Sequence, residues 1–347
     1  MKQAVLYESG KNNLVRCLAC SWYCRIAPGR VGVCGTRVNQ NGKLYSLVYG
    51  HITIPSIDPV EKKPLHHFLP GQTLLSFGTI GCNFGCEFCQ NDWLSQATKG
   101  RSLDDIQNTI NQLSSSFTPQ ELIDLTLHEH AAGIAYTYNE PAIFAEFAHD
   151  TAKLAKEHGL TNVFVSNGYE SKETFEYIKK YLDAINIDLK SFRPEFYRNV
   201  CHADIEPVKE NIKRYFDAGI ETEVTTLVIP GLNDSEEELS AIAGFLFRIS
   251  PDIPWHVSAF YPAYHMMNTP PTPASTVLKA WEIGKKAGLN FVYTGNIADT
   301  KHAATVCPKC KTTLIERFGY ETIIKNMNQE TGTCNRCQQK IYGVWSA

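Results

Sequence analysis

Twelve cysteines punctuate this chain, and all but Cys201 fall into three tight groups with the spacing of metal ligands. In a large chain such spacing favours metal over a disulfide framework, so metal geometry is the strongest constraint on what these segments can fold into. The middle group, Cys82-Asn83-Phe84-Gly85-Cys86-Glu87-Phe88-Cys89, can point three thiols into one small volume. Structural zinc takes four protein ligands, and clusters used only for electron transfer usually take four thiolates. Three thiolates therefore suggest an iron–sulfur cube with one open iron, able to hold a small chelating ligand. The alternative is a partial zinc site completed by a distant histidine.

The first group, Cys17, Cys20, Cys24 and Cys34, lies in a stretch where Gly29, Gly32 and Gly35 allow the tight turns of cysteine knuckles. Four thiolates so close should enclose one metal centre, and the spacing leaves zinc and an auxiliary iron–sulfur cluster both open. The last group, Cys307-x2-Cys310 and Cys334-x2-Cys337, reads as the two knuckles of a zinc ribbon with strands near Thr312–Phe318 and Tyr320–Ile324. The apolar end Tyr342-Gly343-Val344-Trp345 suits a module packed on a larger domain. A structural zinc can supply ~10–16 kcal/mol of folding free energy to so small a module.

Between these groups, short apolar strands alternate with amphipathic helices, the pattern of a parallel sheet with crossover helices. Strands are expected at Leu74–Ile80, Gly133–Tyr138, Val163–Val165, Ala184–Ile187, Glu223–Ile229, His256–Phe260 and Phe291–Tyr293. Ser171 can cap one intervening helix, and Asp234 or Ser235 another whose acidic first turn suits the helix dipole. Right-handed crossovers place all strand C-termini on one face, and there stand the cysteine loop, Asn139-Glu140, Ser166-Asn167, Asp188-Leu189-Lys190 and, beyond Tyr261-Pro262, His265. Six or seven units are too few for a closed eight-stranded barrel. The reading is an α/β partial barrel of (β/α)6 type over residues 70–300, preceded by a four-cysteine module and linker (1–69) and followed by the ribbon (301–347).

Lysine and arginine total 33 against 36 acidic residues, a formal charge of -3 that offers no general field for nucleic acid. No apolar run is long enough to span a membrane, and Glu8 interrupts the start too early for a signal-peptide core, so a cytoplasmic protein is expected.

The CxxxCxxC loop, Tyr138-Asn139-Glu140-Pro141, Asp188-Leu189-Lys190, Val228-Ile229-Pro230-Gly231-Leu232-Asn233-Asp234 and the two flanking cysteine modules together resemble the AmmeMemoRadiSam system radical SAM enzymes, relatives of pyruvate formate-lyase activating enzyme. The resemblance implies a 4Fe-4S cluster on Cys82, Cys86 and Cys89 that binds S-adenosylmethionine at its open iron. Reductive cleavage would then yield a 5'-deoxyadenosyl radical that abstracts hydrogen. It also implies that Phe88 lies beside the adenine and that Glu140, where relatives carry Gly-Gly-Glu, meets the methionyl amino group, with Tyr138 and Asn139 in place of the glycines. Asn139, Ser166, Asn167, Asp188, Lys190 and His265 become further candidates for cofactor contact. Asn167 could instead serve the turn before Gly168, and Asp188 and Lys190 could simply pair with each other. His256, within a strand, and Cys201 read as core residues. A flavodoxin- or ferredoxin-like electron donor is implied, with AMMECR-like and Memo-like proteins as partners. The substrate is either a glycine of a partner protein, as for an activase of glycyl-radical enzymes, or a small molecule. A rival of another class is a non-catalytic module with zinc in all three groups.

Overall fold

The expected alternation of strand and helix is present, and each expected parallel strand lies within a few residues of its predicted bounds. The computed structural model describes residues 1–346. The chain packs as two units, one formed by Met1–Asp58 with Leu74–Asp183, the other by Pro59–Thr73 with Ala184 onward.

In the first unit the strands Thr73–Phe77, Gly133–Tyr136 and Thr161–Ser166 run parallel, with Gly133 opposite both Leu74 and Thr161. Leu74, Leu75, Phe77, Ile134, Ala135, Tyr136, Val163 and Phe164 are all buried, as near-continuous apolar runs are when a parallel sheet is covered on both faces. The helix Ala145–Glu157 buries Phe147, Ala148, Ala152 and Ala155, and ends at His158 before Gly159, which takes φ +72. Ser171 caps Lys172–Ile178 by accepting from the Thr174 amide. Residues between the cysteine loop and the second strand, for which the sequence reading offered no element, form the helices Leu103–Leu113 and Pro119–His128. The latter starts with a full capping box between Thr118 and Glu121.

The N-terminal residues of this unit form a hairpin, Arg37–Gln40 with Lys43–Ser46, turned by Asn41 and Gly42 at φ 51 and 88. Arg37 is fully buried and forms a bidentate pair with Glu146 of the helix Ala145–Glu157 while also donating to Ile143 O. Burial alone would raise the Glu146 carboxyl, but the Arg37 guanidinium outweighs it and holds the group below its ordinary value.

In the second unit Ala184–Asp188, Glu221–Val228, Trp255–Ala259 and Val292–Gly295 run parallel in sequence order. Of the two candidate caps, Ser235 caps the helix Glu236–Ile249. The ribbon strands Thr313–Phe318 and Glu321–Ile324 are antiparallel, and their core, with Leu314, Ile315, Met327, Ile341 and Trp345, closes over Phe291 and Tyr293. A buried polar seam joins the same layers. His67 Nδ1–H donates to Tyr342 O at 2.6 Å, and its Nε2 accepts from the Tyr293 hydroxyl at 2.6 Å. Arg317 donates to His66 O, Ala303 O and Thr305 Oγ1. His256 is buried 2.5 Å from Glu223, a satisfied core histidine as its strand position suggested. Cys201 is likewise fully buried. Among the described residues no helix is long and apolar enough to cross a membrane.

Candidate active site

The cysteine loop follows directly from the C-terminal end of Thr73–Phe77, and the residues around it explain its shape. Gly81 has φ +94, and a Cβ there would sit 2.6 Å from Thr36 Cγ2 and 2.7 Å from Cys34 O, so glycine is required on both conformational and steric grounds. Asn139 fastens the loop from the end of the next strand. Its Nδ2 donates to Thr79 Oγ1 and Gly81 O at 3.0 and 2.8 Å, and its Oδ1 accepts from the Thr79 amide. Asn139 thereby spends its carboxamide on the loop that carries Cys82.

Tyr138 departs most clearly from the glycines of the Gly-Gly-Glu pattern, and its backbone takes φ +70, the region glycine favours. A bulky residue there costs ~1–2 kcal/mol. It is held by its hydroxyl donating to Asp58 at 2.7 Å and by Asn91 Nδ2 donating to its carbonyl at 2.9 Å. The glycine-like path of the chain into Glu140 is thus kept without glycine.

Glu140, Ser166 and Asn167 come together beside Cys82. The Glu140 carboxylate is fully buried and accepts from the Ala142 and Asn167 amides at 3.0 and 2.8 Å, with Ser166 Oγ 3.1 Å away. Ser166 Oγ also lies 2.7 Å from the buried Glu170. Burial first, then the Glu170 carboxylate, push the Glu140 carboxyl well above its ordinary range. Burial and the nearby Glu140 do the same to the Cys82 thiol. Asn167 Nδ2 donates to Asn83 Oδ1 at 2.7 Å, the Cys82 sulfur lies 3.7 Å from the same oxygen, and the buried Asn83 Nδ2 has no partner. Phe88 is buried next to Cys89, whose sulfur lies 3.1 Å from Ser95 Oγ.

These features fit the expected cofactor pair. Three thiols line the loop, the buried Glu140 carboxylate is one that an ammonium would neutralise, and the buried Asn83 Nδ2 is left without a partner. Asn83 and Glu170, which join this group, were not singled out from the sequence, although Asn83 lies inside the cysteine loop and Glu170 follows Ser166 by four positions. Asp188, Lys190 and His265 belong to the second unit. Lys190 Nζ lies 2.9 Å from Asp188 Oδ2, its amide donates to the Tyr197 hydroxyl, and its carbonyl accepts from Asn233. His265 is exposed and its ring lies 3.6 Å from that of Tyr264.

Residues 77–242 match the Radical SAM superfamily, a span covering the loop and its supporting strands. The chain is 39% identical over 342 residues to an uncharacterized protein of Methanocaldococcus jannaschii, covering 98% of this chain and 99% of that one. The chain belongs to the radical SAM superfamily. It is similar to the pyruvate formate-lyase-activating enzyme of Clostridium pasteurianum, 22% identical over 49% of this chain and 67% of that one. It is also 26% identical to the isethionate sulfite-lyase activating enzyme of Oleidesulfovibrio alaskensis, over 50% of this chain and 55% of that one. This radical SAM protein is an enzyme that generates a 5'-deoxyadenosyl radical.

The other thiol groups differ in geometry. In the ribbon, Cys307 and Cys337 sulfurs are 3.6 Å apart, as are those of Cys310 and Cys334, and all four lie within 4.8 Å of one another. Hydrogen bonding to Thr312 brings the Cys310 thiol down to about 6. Cys17, Cys20, Cys24 and Cys34 are mostly buried, and burial raises the Cys17 thiol to about 11.

Proposed function

We propose that this enzyme is activating-enzyme-like and directs its radical at a partner protein. The observation that carries the reading is the buried Glu140 carboxylate beside Cys82, held by Ser166 and the Asn167 amide, which complements the methionyl ammonium of S-adenosylmethionine. The likeness to activating enzymes supports a protein substrate. When bound, the 4Fe-4S cluster and S-adenosylmethionine supply one-electron cleavage of a carbon–sulfur bond. The chain's own part is to hold the cluster through Cys82, Cys86 and Cys89, to receive the methionyl ammonium at Glu140, and to place Phe88 beside the adenine. Asn167 Nδ2 lies 4.0 Å from the Cys82 sulfur, where a hydrogen bond to sulfur tunes a cluster's potential. Asp188, Lys190 and His265 are assigned to cofactor contact from the strand ends of the second unit.

Around this centre we assign the modules 1–69, 70–300 and 301–347 by their metal chemistry, with 70–300 as the partial barrel. The sulfur spacing in the ribbon supports zinc, and the N-terminal quartet is assigned a metal, zinc or iron–sulfur. Membership of the AmmeMemoRadiSam system, with AMMECR-like and Memo-like partners, a flavodoxin- or ferredoxin-like donor and a cytoplasmic setting, completes the reading. The test is electron paramagnetic resonance of the anaerobically reduced enzyme frozen with S-adenosylmethionine and each candidate partner. A carbon-centred radical on the partner, with 5'-deoxyadenosine formed in proportion, is expected. Turnover stimulated only by small-molecule extracts would instead place the substrate outside proteins.

A further inference from the structure

We propose that a cavity in the second unit is a binding site for a small organic anion that carries a planar ring. The cavity, about 640 Å³, lies where the helix Ala274–Lys286, the strand Val292–Gly295 and the ribbon meet. Val292–Gly295 is the last strand at its end of the parallel sheet, and the hollow opens beside it. Packed interiors leave few voids larger than a water molecule, whereas small-molecule sites take roughly 300–1,000 Å³. This hollow is therefore room for a ligand. None of its lining residues belongs to the first unit, which carries the cysteine loop, so the radical chemistry does not account for it.

The lining combines rings with cations. Trp281, Phe291 and Phe318 supply aromatic surface, and Phe318 is left 49% exposed. The Trp281 ring is fixed by Nε1 donating to Val292 O at 2.9 Å, and it lies 4.5 Å from the ring of His302. His302 Nδ1 is 2.7 Å from Asp299 Oδ2, which also accepts from Thr294 Oγ1. That carboxylate fixes the ring with Nδ1–H donating, and leaves Nε2 as the nitrogen available to a ligand. Lys285, Lys301 and Lys311 line the same space, together with the fully buried Arg317. Among the described lining residues Glu316 is the one carboxylate, and Lys325 pairs with it at 3.3 Å. The walls thus carry a net positive charge, which an anion would balance. Arg317 spends its guanidinium on carbonyls and a threonine hydroxyl and so contributes charge rather than a contact. Lys285 Nζ is anchored by Leu289 O and Asn290 O at 3.0 and 2.7 Å, and Lys311 Nζ by Pro308 O at 2.7 Å. An ammonium has three donors, so each keeps at least one for a ligand oxygen. Packing a ribbon on a sheet asks for apolar side chains, as in the neighbouring cluster of Leu314, Ile315 and Trp345. Cations around a hollow do not serve that purpose. The ligand that fits sets a ring against Trp281 and His302 and an acid group at the lysines.

The test uses the full chain with its metals loaded and needs no radical activity. The probe is anilinonaphthalene sulfonate, an aromatic anion whose fluorescence rises on binding, compared with phenylnaphthylamine, which has the same rings without the charge. In the wild type the sulfonate should bind at least about tenfold more tightly than the amine. Its affinity should also fall as salt is raised. Equal affinities would show an apolar cavity only and overturn the anion site. Lys301→Glu/Lys311→Gln should weaken the sulfonate by at least about tenfold and leave the amine unchanged, with ribbon metal and melting temperature kept. Unchanged sulfonate affinity there would mean adventitious binding elsewhere and overturn the site. Should that variant lose its ribbon metal, the wild-type comparison of the two probes and its salt dependence decide alone. Displacement of the sulfonate by phenyl phosphate or by benzoate would support the site and name its acid group, and displacement by neither would overturn it.

Discussion

Glu140 is the residue whose chemistry the fold works hardest to set, because a carboxylate buried beside Glu170 is costly until a cation arrives. The methionyl ammonium would be that cation. Glu140→Gln should therefore weaken S-adenosylmethionine binding by at least about tenfold, ~1.4 kcal/mol, with the cluster's absorption unchanged. Since the raised carboxyl must ionise to pair, affinity should also weaken as pH falls through its raised value, and titration calorimetry across pH would show a flat profile if Glu140 were uninvolved. Lys190→Met tests a second contact. A tenfold loss of affinity is expected if it serves the cofactor, whereas unchanged affinity would leave it as the partner of Asp188, to which it is bonded. At this scale the sequence was informative where chemistry is tied to strand ends, as for Cys82, Glu140, Ser166 and Asn167. It was silent on Lys285, Trp281 and Glu170, because nothing in a lone lysine, tryptophan or glutamate signals which backbone it will meet after folding.

Strand and helix positions were legible because parallel strands carry unbroken apolar runs and their helices carry caps, as at Ser171 and Ser235. Helices Leu103–Leu113 and Pro119–His128, capped by Ser102 and Thr118, were less legible because each buries only three residues, one of them a threonine. The loop is the element with least tolerance. Gly81→Ala would add a left-handed strain of ~1–2 kcal/mol and a clash with Thr36 and Cys34 O. Reconstituted protein should then hold less iron and melt earlier, while Gly244→Ala, whose Cβ would meet only Arg248 Nη1 at 3.6 Å, serves as a control. Equal iron in both variants would contradict the packing of Cys34 against Gly81. Glu146→Gln should destabilise by ~3–5 kcal/mol in denaturant titration, because it leaves the buried Arg37 guanidinium unpaired.

For the molecule as a whole, acid stability should track the seam beneath the ribbon. Burial lowers the His67 imidazole from its usual 6.5 to about 3, consistent with a neutral ring that donates to Tyr342 and accepts from Tyr293. The unfolded chain binds the proton first, so this group's contribution is present above pH 6.5 and is lost as pH falls toward 3, at about 1.4 kcal/mol per pH unit. His67→Asn should flatten the dependence of melting temperature on pH over that window at saturating zinc. Chelating the ribbon metal should lower the same melting temperature while leaving the catalytic cluster's spectrum intact. The seam can close only late in synthesis. Pro59–Thr73 leaves the ribosome long before its partners, and His67 bonds a residue 275 positions later. The seven thiols of the first unit, in contrast, are all present once Asp183 has been made. A nascent chain can therefore receive iron in its first unit while the second is still being translated, and oxygen or iron starvation during synthesis should damage the protein at a stage when the ribbon does not yet exist.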